Sequence, residues 1–285
     1  MYQHYDSPPH LKHLVCFFYA MEHHENDGPL QTLLPSGTPV NGWQYAGRWQ
    51  LRMNSKSFTN DSLLPDFYIV GQQTFSYSLT AVGGTAGIFG AGLQPGTPFN
   101  LLRKPTYFLT NNPVDTTTLF PDAFIRPYVA RYKTLRNNDD RYKLLVDFYE
   151  QFNIPETYEM YKEAIQIIYQ HKGCISIKEL CEKLHVNERY LQREFRTHIG
   201  IPPSTYLNII RFNNIFTELS LGKEKQHLET LAMLFNYYDI SHFNKEYKRY
   251  FNMPPSRFLI EEFKLLNELV SKSPYLLQVQ LMNLK

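Results

Sequence analysis

Apolar and polar positions follow different rhythms in the two halves of the chain. Up to about residue 120, short apolar runs such as LVCFFYAM, PDFYIVGQQTFSYSLTAV and TAGIFGAGLQPG are bounded by Gly, Pro and Thr, the punctuation of strands joined by turns. This predicts a mainly β domain, barrel or sandwich-like. From Phe124 to Phe152 the period lengthens to that of helices, in two pieces, YVARYKTL and DDRYKLLVDFYEQF, split by Asn137-Asn138-Asp139. These helices are expected to close the first domain, residues 1–152.

Pro155 in the segment NIPE disfavours helix at Ile154 and permits a new helix just beyond, so the domain boundary is placed there. Residues 153–263 then read almost wholly as helices, and 264–285 as an apolar tail of open role. In TYEMYKEAIQIIYQHKG, Tyr161, Ile165, Ile168 and Tyr169 share one face, and Gly173 suits the end. Ser176 and Glu179 form a capping box that starts SIKELCEKL. The fold class is therefore α+β: a β domain closed by helices, followed by an all-α domain.

Within the helical half a unit recurs. GIPPSTYL, from Gly200, nearly repeats as NMPPSRFL, from Asn252, and the alignment extends upstream. Tyr190-Leu-Gln-Arg-Glu-Phe-Arg lies over His242-Phe-Asn-Lys-Glu-Tyr-Lys, and small Cys181 meets small Ala232, where a second helix must cross closely. Each copy then has an N-cap candidate, Asn187 or Asp239, followed by a stripe at intervals of four: Leu191, Phe195, Ile199 and Phe243, Tyr247, Phe251. The unit is helix, tight turn, helix, Pro-Pro stop, which is helix-turn-helix logic.

The faces left over by those stripes carry the candidate chemistry. Arg189, Gln192 and Arg193 in the first copy, and Ile240, Ser241, His242 and Lys245 in the second, lie where base edges would be read. Arg bonds bidentately to guanine and Gln to adenine. Arg196, Asn244, Lys248 and Arg249 suit phosphates. One such helix alone would be an ordinary solvated face; two aligned copies with matching cores favour double-stranded DNA as partner.

Composition narrows the rest. With 43% apolar and 20% charged residues the chain is globular, and a formal net charge of +2 announces no global nucleic-acid excess, so any basic patch is local. The three cysteines contain no CxxC pair and fit a reducing compartment. The N-terminus lacks a signal-peptide layout and no apolar run is long enough to span a bilayer, so the expectation is a soluble, cytoplasmic protein without a membrane partner. His4, His10, His13, His23 and His24 lack a shared ligand spacing, and no nucleophile elbow, P-loop or paired-carboxylate motif stands out. No metal, cofactor or catalytic residue is therefore expected, and the chain is read as a non-enzyme. Trp43, Tyr45, Trp49, Phe75 and Tyr77, from a chain with 21 Tyr and 20 Phe, are candidates to line an effector pocket as well as core positions.

LHVNERYLQREFRTHIGIPPSTYL and FNYYDISHFNKEYKRYFNMPPSRFL resemble the paired helix-turn-helix domain of AraC/XylS-type transcriptional regulators, over residues 158–260. The resemblance implies a seven-helix module in which residues 205–221 form a long helix between two units, each presenting a recognition helix to successive major-groove segments. His185 and Asn236 stand where that family usually has the turn glycines. The connecting helix, NIIRFNNIF, is also less basic than usual, which implies weaker phosphate attraction. SPPHLKHLV, LLPSGTPV, IVGQQT and GAGLQPGTP resemble the N-terminal regions of some such regulators. The expected function is a sequence-specific transcription regulator whose first domain senses a small-molecule effector or mediates homodimerisation, with RNA polymerase as a further partner. The alternative is a barrel-type metal- or sugar-binding enzyme with a helical accessory domain.

Overall fold

A computed structural model describes residues 1–27, 33–53, 61–155, 159–220, 228–237, 239–251 and 254. The second Pro-Pro-Ser segment beyond Pro254, the 264–285 tail and the side chains of Arg249 and Phe251 lie outside the described residues.

The first half is one antiparallel sheet. Its strands are β1 (Tyr2–Asp6), β2 (Val15–His24), β3 (Val40–Met53), β4 (Asp61–Leu63), β5 (Phe67–Val70), β6 (Tyr77–Leu93) and β7 (Val114–Asp115). They run in the order β1-β2-β6-β3-β5-β7, with β4 paired to β3. β1 and β7 are not bonded to each other, so the sheet is open. The mainly β domain expected as barrel or sandwich-like is thus an open antiparallel sheet: among the described residues no ladder joins the two edges.

Alternation along the strands sends side chains to two cores. On one face Phe18, Ala20, Trp43, Phe67, Phe89 and Ala91 pack with Ile125, Tyr132, Leu144, Leu145, Phe148 and Tyr149 of helices α2 (Asp122–Thr134) and α3 (Asn138–Glu150). On the other, Phe17, Tyr19, Met21 and Ile88 share a core with Trp49, Leu51, Leu79 and Ala81 from the far ends of the two longest strands. The glycines of GTAGIFGAG have a steric reason. A Cβ at Gly87, Gly90 or Gly92 would collide with the rings of Tyr45, Tyr19 and Phe17 respectively, so aromatic rings from the flanking strands β2 and β3 lie across bare backbone.

A short helix, α1 (Thr97–Leu102), precedes α2 and α3. The second half comprises α4 (Met160–Gln170), α5 (Ile177–Leu184), α6 (Glu188–Glu194) with a π-helical extension Phe195–Ile199, α7 (Pro203–Ser220), α8 (Leu228–Leu234) and α9 (Ile240–Phe251). Its core joins Ile165, Ile168, Leu180, Leu191, Phe195, Phe212, Phe243 and Tyr247, and α7 runs through the middle as expected for a connecting helix. Leu34, from the β half, belongs to this same core. Lys172, rather than Gly173, takes the first left-handed place after α4; Gly173 follows because a Cβ there would strike the α7 backbone at Arg211.

Candidate nucleic-acid interface

Both helix-turn-helix units are built from the same local devices. In the first, the Ser176 backbone N–H donates to the Glu179 carboxylate at 2.9 Å while the Glu179 N–H donates to Ser176 Oγ at 3.1 Å, so the capping box fixes the start of α5. These Ser176 donors hold the Glu179 carboxyl below its ordinary range. The helix ends at His185, which is left-handed at φ 54°. Val186 N–H reaches back to Cys181 O (3.1 Å) and His185 N–H to Glu182 O (3.3 Å), the paired bonds of a Schellman stop. Asn187 then caps α6 through its side-chain oxygen, which accepts from Tyr190 N–H at 2.9 Å.

The second unit repeats every step after its helix start. Asn236 is left-handed at φ 56°, Tyr237 N–H reaches Ala232 O (2.9 Å), Asn236 N–H reaches Met233 O (3.1 Å), and Asp239 caps α9 by accepting from His242 N–H at 2.7 Å. The two turns match in hydrogen-bond pattern, backbone handedness and cap.

The turns aim the second helices so that one stripe is buried and the opposite one is free. Leu191, Phe195 and Ile199, and Phe243 and Tyr247, are buried. Arg189, Gln192, Arg193 and Arg196 fall at i, i+3, i+4 and i+7 and are all exposed. In α9, Ser241, His242, Asn244, Lys245 and Lys248 are exposed as well, whereas Ile240 is half-buried against the helical core and serves packing there. Arg189, Lys245 and Lys248 make no ion pair among the described residues. Arg193 leans on Glu194 (3.7 Å) and over the Tyr190 ring (4.9 Å), both half-buried, and Gln192 donates to exposed Glu188 at 2.8 Å, surface contacts of small worth.

The C-terminal end of the first recognition helix is held by the β half. Thr106 Oγ1 donates to Thr197 O (3.2 Å) and Thr110 Oγ1 to Gly200 O (2.9 Å). His198 stacks on Tyr161 (4.6 Å) and meets Phe99 edge-on (4.1 Å), while Arg196 lies 5.5 Å over the Tyr107 ring. Asn213 of α7 donates to Ser36 O (3.0 Å), and Gln72 to Gly37 O (2.9 Å). The segments LLPSG, GQQT and LQPGTP, singled out in the sequence for their resemblance, thus gather at the contact between the two halves. No local sequence signal marks Phe99, Thr106 or Thr110 for this role, because their partners lie about a hundred residues away.

The five aromatic effector-pocket candidates are not brought together. Trp43 and Trp49 are both fully buried, but in the two different cores, because register shifts around Tyr45 and Ala46 break the alternation of β3 between them. Phe75 is half-buried, Tyr77 packs beside Trp49's core, and Tyr45 borders a polar cleft instead. The early histidines disperse: His10 pairs with Glu150 at 2.7 Å, His13 with Ile154 O at 2.9 Å, and His23 stacks on Trp49. No helix among the described residues is long and apolar enough to cross a membrane.

Residues 180–260 match the family model described as "Helix-turn-helix domain". Among solved structures, ToxT from Vibrio cholerae is similar at 13% identity, covering 86% of this chain and 98% of that one with a TM-score of 0.45. A complex of ToxT with (E)-4-(8-methylnaphthalen-1-yl)but-3-enoic acid gives 12%, 92%, 99% and 0.47. The AraC-like transcriptional activator CuxR gives 13%, 79%, 82% and 0.22. The two matched, capped turns lie within the residues of that family model. Residues 180–260 form a helix-turn-helix domain.

Proposed function

We propose that the chain is a sequence-specific DNA-binding transcription regulator. The observation that carries this reading is the duplicated turn: two Schellman stops, two capped recognition helices and two exposed polar faces on one core, within the matched residues. Arg189, Gln192, Arg193, Ser241, His242 and Lys245 read base edges, and Arg196, Asn244, Lys248 and Arg249 hold phosphates. Ile240 is kept out of the base-reading set because it packs inward.

Residues 1–152 act as an effector-sensing or dimerising domain, residues 153–263 as the DNA-binding domain. The grip of Thr106, Thr110 and Phe99 on the end of the first recognition helix supports a route by which the state of the first domain reaches DNA affinity. RNA polymerase and a second copy of the chain are further partners in this role. The protein acts by binding, without a reaction of its own.

The test is to recover the genomic fragments the full chain retains and to measure their binding by anisotropy over a range of salt. Log affinity falling linearly with log salt, on a recurring sequence, supports the reading; a salt-insensitive or absent interaction with every fragment overturns it.

A further inference from the structure

One cleft in the β half holds a charge that its own neighbours leave uncompensated. It lies between the middle of β3, at Gln44 to Gly47, and the connection from α2 to α3, has a volume of about 530 Å³, and is lined by Glu22, Tyr45, Asp66, Lys133, Arg136 and Arg141 among others. Arg141 is only 6% exposed. Its Nη1 donates to Asn138 Oδ1 (2.8 Å), its Nη2 to Leu135 O (3.0 Å), and its Cζ lies 3.8 Å from the centre of the Tyr45 ring. Among the described residues its buried Nε–H has no acceptor, and no carboxylate stands at ion-pair distance from it.

A guanidinium removed from water without a counter-charge is costly, and ring stacking with two hydrogen bonds offsets only part of that cost. The nearby acids are committed elsewhere or stand apart. Glu22 accepts the Tyr45 hydroxyl at 2.7 Å, Asp140 is engaged by Asn137 and lies 3.7 Å from Lys143, and among the described residues Asp66 and Asp139 approach no cation at ion-pair distance. Lys133 and Arg136 are exposed and line the same cleft, so its lining holds three cations with Glu22 and Asp66.

We propose that this cleft binds a small polar metabolite through its carboxylate. The proposal deepens, and rests on, the reading of the first domain as effector-sensing. Arg141, Arg136 and Lys133 receive the carboxylate, whose planar oxygens match the fork of a guanidinium, and Glu22 and Asp66 accept hydroxyl hydrogens from the remainder. The size and the polar lining exclude a long apolar chain. Occupancy is transmitted locally, since Arg141 holds the carbonyl of Leu135 that ends α2, and Tyr132 of α2 donates to Trp43 O at 2.6 Å.

Calorimetry on the full chain tests this with citrate, D-glucuronate and D-lactate as carboxylate probes, D-glucose as the neutral match to glucuronate, and inorganic phosphate as a bare anion. The expected result is saturable binding of at least one carboxylate, none of glucose, and weakening of about 3- to 10-fold by each of Lys133→Gln and Arg136→Gln at unchanged melting temperature. Both of those side chains are exposed, so the variants fold; Arg141→Lys weakens binding further. The proposal is overturned if none of the three carboxylates saturates, if glucose binds as glucuronate does, if phosphate alone binds, or if the Lys133→Gln/Arg136→Gln double variant binds like wild type. DNA binding is measured in parallel without any probe. A null calorimetric result with salt-sensitive DNA binding intact removes the cleft alone, whereas carboxylate binding without DNA binding removes the regulatory reading instead.

Discussion

His185 and Asn236 occupy the same left-handed place in two copies of one turn, at φ 54° and 56°. Each donates its N–H to the carbonyl three residues back, and the residue after it closes the wider bond five residues back, so the two units stop their first helices with the same pair of bonds. A glycine is the cheapest residue for that backbone. Asn and His are the side chains that tolerate it next best, which answers why a histidine can stand in the first turn.

His185→Gly is expected to raise stability by about 1 kcal/mol, the approximate cost of a left-handed non-glycine residue, seen as a melting midpoint several degrees higher. Asn236→Gly is expected to be near neutral, because it removes the same strain together with the hydrogen bond from Asn236 Nδ2 to Cys174 O at 3.2 Å. A fall in stability for His185→Gly contradicts this account of the turn.

The Glu179 carboxylate, held below its ordinary 4.5 by the Ser176 donors, links the first unit to pH. Its folded-state value lies below the unfolded one, so its contribution is complete above the unfolded value and is lost as pH falls through the folded value. Urea midpoints measured in the neutral and the acid range should converge between wild type and Glu179→Gln on acidification. A constant gap across that range rules the linkage out.

Gly200 ends the first recognition helix at φ 91°, and a Cβ there would meet Thr110 Oγ1 at 2.8 Å and Thr106 O at 3.1 Å. Gly200→Ala is expected to cost about 2 kcal/mol through strain and crowding together, whereas Thr110→Val removes one hydrogen bond for about 1 kcal/mol. Hydrogen exchange at residues 195–200 should speed up in Thr110→Val while that of α9 does not change. Uniform exchange across both units would show that the contact with the β half does not single out the first.

What could be read from the sequence follows the range of the interactions. The box at Ser176 and Glu179, the caps at Asn187 and Asp239, and the buried stripes of α6 and α9 depend on residues within a turn or two of each other, and all were legible. The strand order was not: β6 sits between β2 and β3, a pairing that joins residues far apart in the chain and that no local pattern records. The five aromatics misled because a register shift in β3 moves Trp49 into a different core from Trp43. Arg141, in DDRYKLLVDF, reads as one more solvated charge; only the folded chain lays it on Tyr45.

On the recognition faces, Arg193→Ala is expected to relax base preference at one position, by about 1–3 kcal/mol of discrimination, with little change in salt slope. Arg196→Ala is expected to weaken binding evenly across sequences and to lower the salt slope by about 1. Selection from a random duplex library, followed by salt titration of the winners, separates the two. Identical preferences for wild type and Arg193→Ala would remove the base-reading role.

The central claim, that two matched units read one DNA, is tested most directly by footprinting the selected site with wild type, Arg193→Ala and Lys245→Ala. The prediction is two protected major-groove windows about 10 base pairs apart centre to centre, with each substitution weakening a different window. A single window, or both substitutions acting on the same base pairs, would contradict it.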